Sequence, residues 1–392
     1  MIAKGYKVDI GSRSRVFDKL NFNFLGNRKI AYVISGILLV IGIISLVARG
    51  LELGIDFKGG SEIVVQFDEP IDISSVRKDL SSIGLGNVEV KTFGDASGIL
   101  VRTELQDIPR EVIPNIISTL EKAIEKNAPN IQKTIVDTTL SSITYEFPSA
   151  EETNMLTEKL FANGFQTTKV SAEPDNRRMI VNLTIADWIK ENLIVEHADN
   201  PFKVLKEEKV GPKVGKELKI DALIAIALSL LVILIYLGFR FKFGFAIGAV
   251  TALFHDVLIT LGVFSILYGL IPGLNLEISV SVVAAFLTLV GYSINDTVVV
   301  FDRIREDIKI HKTANIEEVM NKAINKTMRR TIITSLTTLM TVTVLLFFGG
   351  EVLRGFAFTL FFGIIIGTYS SIFVASAFVL EFAKRSGKKI QF

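Results

Sequence analysis

The sequence predicts an α-helical membrane protein with six transmembrane helices and a large exterior α+β domain between the first and the second. Three observations carry that reading. Hydrophobic residues make up 49% of the 392 positions against 21% charged, with a mean hydropathy of +0.45, a balance that suits lipid better than a soluble chain of two or three domains. Six apolar runs, at 30–48, 222–238, 243–265, 278–301, 331–348 and 356–380, reach the roughly 17–25 residues that a helix needs to cross a bilayer. Between the first two runs lies a polar segment patterned as strands and amphipathic helices.

The domains follow in order. Residues 1–29 form a polar tail and 30–49 the first helix. No small-residue cleavage site accompanies that helix, so it reads as an uncleaved anchor. The exterior domain takes 50–217, helices two to four take 218–301, and 302–330 is a connection. Helices five and six occupy 331–380, and 381–392 is a second tail. Orientation rests on where Lys and Arg collect. Lys4, Lys7, Arg13, Arg15, Lys19, Arg28 and Lys29 crowd the first tail. Arg303, Arg305, Lys309, Lys312, Lys322, Lys326, Arg329 and Arg330 crowd the connection, and Lys384, Arg385, Lys388 and Lys389 the last tail. The loop 267–277 has no basic residue. Both termini are therefore expected in the cytoplasm and 50–217 outside.

Within the exterior segment, SEIVVQF, NVEVKTF, GILVRTEL and QKTIVDTTL read as strands, with helices at DISSVRKDLSSIGL and PREVIPNIISTLEKAIEK. That βαββαβ order is the ferredoxin-like motif. A second pass repeats it: SSITYEF, a helix at EETNMLTEKLFANGF, TTKVSAEP, RMIVNLTI, a helix at ADWIKENLIVEH, and FKVLKEEKV as the closing strand. The expectation is two successive modules; the alternative is one module with an irregular extension. Neither copy holds a nucleophile–base pair, a phosphate loop or metal-ligand spacing, so the domain reads as a binding surface.

The apolar runs carry charge in two places. Asp256, beside His255, sits midway along the third, and Asp296 lies in the fourth among Ser293, Asn295 and Thr297. Each ionised group costs about 2.5–3.5 kcal/mol at a helix centre on insertion scales. The two are candidates for ion or proton coupling, with His255, Arg329 and Arg330 as candidate charge partners; the bland reading is that they only pack helices. Gly363, Gly367, Ser371 and Ala375 recur every fourth residue in the last run, and Gly248, Ala252, Asp256 and Thr260 in the third. Such stripes mark close helix contacts. Thr334, Ser335, Thr337, Thr338, Thr341 and Thr343 make the fifth run hydroxyl-rich, which predicts hydrogen bonds to neighbouring helices.

Other chemistries find little support. With no cysteine and three scattered histidines, thiolate and zinc sites have no ligand set. A formal net charge of +2 makes no case for a nucleic-acid partner. No catalytic residues and no cofactor are expected.

Five motifs carry a resemblance: GIDFKGG (54–60), VGPKVGKEL (210–218), FHDVLIT (254–260), GYSINDTVVVFDRIRE (291–306) and the tract RRTIITSLTTLMTVTVLLFFGGEVLRGFAFTLFFGIIIGTYSSIF. Physically, Gly59 and Gly60 permit a tight reversal from helix to first strand, and Gly211–Pro212 breaks the chain before the second helix as a hinge or docking corner. Together the motifs resemble the SecF branch of the SecD/SecF family and, more distantly, half of a resistance-nodulation-division transporter. The NDT form around Asp296 is similar to SecF; the SecD form is VDAN-like. The exterior segment is larger than the single ferredoxin-like domain typical of SecF.

The resemblance implies an accessory subunit of the Sec export machinery that works with a SecD-like subunit beside a SecYEG-type channel and other accessory membrane subunits. It would act on an unfolded exported polypeptide, drawing on a proton or sodium motive force across the cytoplasmic membrane. One rival is half of an exporter of small molecules or lipids. Another, an intramembrane aspartyl enzyme, has two acids but no GxGD-like motif.

Overall fold

The computed structural model describes residues 22–386 apart from Gly84, Gly86, Asn87, Gln106, Leu140, Asn163, Gly164, Lys242, Pro272, Gly273 and Lys312. Of the basic residues used for orientation, Lys4, Lys7, Arg13, Arg15, Lys19, Lys312, Lys388 and Lys389 lie outside that set. In chain order the elements are α1 (Arg28–Arg49), a helical turn (Ile55–Lys58), β1 (Gly60–Phe67), α2 (Ile73–Ser82), β2 (Val88–Phe93), β3 (Asp95–Thr103) and α3 (Ile113–Asn127). Then come β4 (Thr134–Thr138), β5 (Ser142–Glu146), α4 (Ala150–Ala162), β6 (Gln166–Lys169), β7 (Arg178–Asn182), α5 (Ile185–Glu196) and β8 (Phe202–Val210). The remainder is helical: α6 (Pro212–Arg240), α7 (Phe243–Leu267), α8 (Val280–Ile310), α9 (Ile316–Phe348), α10 (Gly350–Ser370), a π turn (Ser371–Ala375) and α11 (Ser376–Ser386). Ile55–Leu218 forms one compact unit, and the helices on either side of it form the other. Among the described residues, six helices are long and apolar enough to cross a membrane, α10 to α11 counting as one.

The α+β unit contains, among the described residues, two four-stranded antiparallel sheets, ordered β2–β3–β1–β8 and β4–β5–β7–β6. The strands are those the sequence pattern predicts, but two of them sit in the opposite sheet. β4, expected to close the first module, edges the second; β8, expected to close the second, edges the first. Their helices go with them: α5 packs on β1 and α2, and α3 packs on α4. The second module is thus threaded into the first, and one hydrophobic core, from Ile63 and Val101 to Tyr145 and Val181, serves both.

Two physical reasons favour this exchange. A three-residue connection joins β4 to β5, with the Thr139 amide donating to the Ser142 carbonyl at 2.8 Å, so hairpin pairing is the cheapest partner for β4. On β1, Glu62 is buried and already held by the Arg102 guanidinium of β3 (Nε at 3.0 Å). Lys206 of β8 supplies a second cation at 3.1 Å, whereas β4 reads TIVDT and has none. A buried carboxylate selects the strand that pairs it.

The two glycine motifs meet where the chain enters and leaves this unit. Gly59 (φ +76°) and Gly60 (φ +119°) both occupy the region that L side chains avoid. A Cβ on Gly60 would collide with the Thr103 carbonyl, and one on Gly59 would lie 3.2 Å from the Pro212 Cα. Pro212 opens α6 at the position where a missing N–H costs nothing.

In the helical unit α7, α8 and α10 are the most buried, whereas α6 buries 6% of its apolar stretch. α1 lies against α7 at a point where Gly42 and Gly262 face each other; a Cβ on Gly262 would come 2.7 Å from the Gly42 Cα. Ser45 and Ser265 hydroxyls meet at 2.8 Å nearby, and Arg49 donates to the carbonyls of Ile266 and Tyr268. The predicted small-residue stripes do face other helices. Gly363 leaves room for Leu289 of α8, and Gly248 of α7 lies against the Ala375 carbonyl. The sixth span runs as one stretch but carries the π turn partway along it.

Candidate functional site

The two acids occupy separate pockets of polar contacts. Asp256 lies on the inward face of α7, where small Gly248, Ala252 and Thr260 let α8 and α10 come close. Its Oδ2 accepts from Ser293 of α8 at 2.7 Å and from Ser370 of α10 at 2.8 Å. Gly367 makes this possible, since a Cβ there would sit 3.0 Å from that of Ser293 and 3.5 Å from Oδ2.

Its Oδ1 meets Nδ1 of His255 at 3.0 Å, and Nε2 of His255 meets the Ser35 hydroxyl of α1 at 3.0 Å. Ser35 in turn lies 3.0 Å from the Tyr369 hydroxyl, which donates to the Ala31 carbonyl at 2.8 Å. Donor counting fixes the directions. Tyr369 spends its one proton on Ala31, so Ser35 must donate to Tyr369, and His255 must donate from Nε2 to Ser35. A single proton then occupies the bond between Nδ1 and Oδ1. On either atom, the His255–Asp256 pair is net neutral. The cost of an isolated anion in lipid does not arise here.

Asp296, on α8, is equally buried but almost bare. Among the described residues its hydrogen bond is from Ser335 of α9, at 3.3 Å, and Ser335 lies 2.7 Å from Thr368 of α10. Arg330 of α9 acts on it by charge without a direct ion pair. Arg329 sits one position earlier on α9, half-buried. The polar neighbours expected to surround Asp296 point elsewhere. Ser293 serves Asp256, Thr297 meets Ser371 at 2.9 Å, and Asn295 is exposed. Residues adjacent in a helix are turned about 100° apart, so nearness in sequence is not contact.

The hydroxyls of α9 also differ from expectation. Thr334, Thr337, Thr338, Thr341 and Thr343 donate back to carbonyls of their own helix, which satisfies each donor without a neighbour. Two reach across: Ser335, to Asp296 and Thr368, and Thr338, which also accepts from the Tyr292 hydroxyl of α8 at 3.3 Å. Sequence reasoning missed Ser35, Thr368, Tyr369 and Ser370. The signal that was available is the run TYSS, four consecutive hydroxyls in an otherwise apolar span.

These features define a class: a six-span helical membrane protein with an inserted α+β unit and two buried acids at helix contacts. The family model "Protein export membrane protein SecD/SecF, C-terminal" matches residues 190–385, and the "SecD/SecF GG Motif" matches 44–71. Protein translocase subunit SecF of Rhodothermus marinus is 41% identical over 96% of this chain and 97% of its own length. That of Calditerrivibrio nitroreducens is 37% identical over 92% and 93%. The crystal structure of SecDF, a translocon-associated membrane protein from Thermus thermophilus, superposes with TM-score 0.63 at 29% identity. It covers 94% of this chain, which spans 39% of that one. The chain belongs to the SecD/SecF family.

Proposed function

We propose that the chain is an accessory subunit of a Sec export machinery, acting with a SecD-like subunit beside a SecYEG-type channel and other accessory membrane subunits to promote passage of an unfolded polypeptide across the cytoplasmic membrane. Relatives that match along nearly their full length are named translocase subunits, which favours this reading over a small-molecule or lipid exporter. The TM-score of 0.63 to SecDF, of which this chain matches a part, supports a SecD-like partner. Both termini lie in the cytoplasm and the α+β unit outside. Reporter fusions near Asn127 and Gly387 are expected to read opposite compartments; agreement between them would reject that orientation.

A proton or sodium motive force supplies the energy, and Asp296 is the group that meets the ion. The observation that carries this is its hydrogen-bond poverty: a buried carboxyl with, among the described residues, one 3.3 Å hydroxyl contact and Arg330 within electrostatic reach. Such a group can gain or lose charge without dismantling its surroundings, and a charge that is alternately buried and exposed biases a conformational equilibrium. One charge moved through 100 mV yields about 2.3 kcal/mol, enough to reverse a balanced two-state element. Asp256, locked in a neutral pair, is the second acid of the pathway.

The test is precursor translocation into vesicles with and without an ion gradient, at matched protein levels. Asp296→Asn is expected to insert and assemble normally and to lose the gradient-dependent increment. A variant that still responds to the gradient would assign Asp296 to packing.

A further inference from the structure

Thr368, Tyr369, Ser370 and Ser371 straddle the point where α10 gives way to the π turn. At about 100° per residue, four consecutive side chains fan out around most of the helix. Each reaches a different helix. Thr368 meets Ser335 of α9 at 2.7 Å, and Ser335 is the donor to Asp296. Tyr369 meets Ser35 and the Ala31 carbonyl of α1. Ser370 donates to Asp256 of α7, and Ser371 meets Thr297 of α8.

We propose that these four residues are positioning residues that pass the protonation state of Asp296 to Asp256 and to α1. The inference rests on the reading that Asp296 meets the ion. Its logic is a proton count. While Asp296 is a carboxylate, Ser335 spends its one proton on it and accepts the proton of Thr368. When an ion-gradient proton binds Asp296, the acid donates to Ser335, and Ser335 turns its own proton towards Thr368. Thr368 must then find a new acceptor. No O–H bond of a hydroxyl is broken; two hydroxyls rotate and one proton is gained at Asp296.

The acceptor at hand is a carbonyl one turn back in the same helix, the kind that Thr359 and Thr334 already use. Back-bonding of this sort bends helices. The following turn is already a π turn, an interruption of the regular ladder that side-chain packing holds in place. There Ser376 donates to the Ser371 carbonyl at 2.9 Å. A small rotation at this point moves Ser370 relative to Asp256 and Tyr369 relative to Ser35 together. The signal would leave the α8–α9 pocket and arrive at α7 and α1.

The experiment uses the full chain with its partner subunit in vesicles, comparing Thr368→Val, Thr368→Ser, Tyr369→Phe and Asp296→Asn for gradient-stimulated precursor translocation at matched protein and partner levels. Valine keeps the shape of threonine without the hydroxyl; serine keeps the hydroxyl. Thr368→Val is expected to cut the gradient-stimulated increment at least about fivefold, the lower end of ordinary coupling energies, and Thr368→Ser to restore most of it. Tyr369→Phe, which removes one oxygen and keeps the ring, is expected to lower the increment by a smaller factor. A normal response in both Thr368→Val and Tyr369→Phe, with none in Asp296→Asn, would overturn the relay and leave Asp296 as the ion site. Equal loss in Thr368→Val and Thr368→Ser would make the position one of packing and also overturn it. A normal response in Asp296→Asn would overturn the reading underneath and the relay with it.

Discussion

Asp256 and Asp296 are buried almost alike, 1% and 3% exposed, yet their surroundings are opposites. Asp256 has both oxygens engaged, by His255 on one side and Ser293 and Ser370 on the other. Among the described residues, Asp296 has a single long hydrogen bond, to Ser335. Burial sets how costly a charge is; the number of donors sets how firmly one protonation state is held. A saturated acid is a structural node. A bare one is suited to change.

The largest expected effect is loss of the node. Asp256→Ala leaves His255 and Ser293 without their acceptor, while Ser370 keeps the Gly367 carbonyl at 3.1 Å, and should cost on the order of 3 kcal/mol from the orphaned buried groups. Thermal unfolding of the chain in detergent measures it, and an unchanged midpoint would mean that the contacts contribute nothing. Asp296→Ala strands only Ser335, which keeps Thr368, so its loss should stay below about 1 kcal/mol, the common size of one hydrogen bond between membrane helices. If the two variants unfold together, the contrast between the sites is false.

The smallest effect comes from a third carboxylate that separates donor number from burial. Asp95, the first residue of β3, accepts from the side chains of Gln66 and Ser97 and from the amides of Ser97 and Gly98. It is exposed to water, and those donors, Gln66 first, pull its pKa from 3.8 down to about 2. A lowered value in the folded state means that its stabilisation is present above pH 3.8 and lost as pH falls through 2. Asp95→Asn should therefore lower stability at neutral pH, by an amount that solvent screening of an exposed group keeps small, and flatten the acid limb between pH 4 and 2, where the two proteins converge. A steeper acid limb in the variant would contradict that sign.

How much of this was legible varies by physical cause. The six spans follow from length and composition, and both acids stand out because charge in an apolar run is expensive. Strands and helices of the α+β unit follow from local period. Which sheet a strand joins does not, because β4 and β8 are both short alternating segments; the deciding fact is the Glu62 charge waiting on β1. The partners of the acids were hidden for a related reason. Ser35, Ser335, Thr368 and Ser370 lie on helices far from Asp256 or Asp296 in the chain, while Asn295 and Thr297, the residues next to Asp296, rotate away from it.

The exchanged strands also impose an order on assembly. β1 is made early, but its edge partner β8 follows far later in the chain (Gly60 pairs with Val210, Phe67 with Phe202). Until then the first sheet has three strands and an open flank beside a buried carboxylate. An open flank of that kind is a place where foreign strands can add. Closing so long a loop costs only slightly more than closing a short one, yet the search is slow. The nested module, with its hairpin from β4 to β5, can form meanwhile from near neighbours. The last strand then acts as a zipper pull: when β8 docks, it completes the sheet and draws the start of α6 to Gly59, so the beginning and end of the unit are joined in one late step.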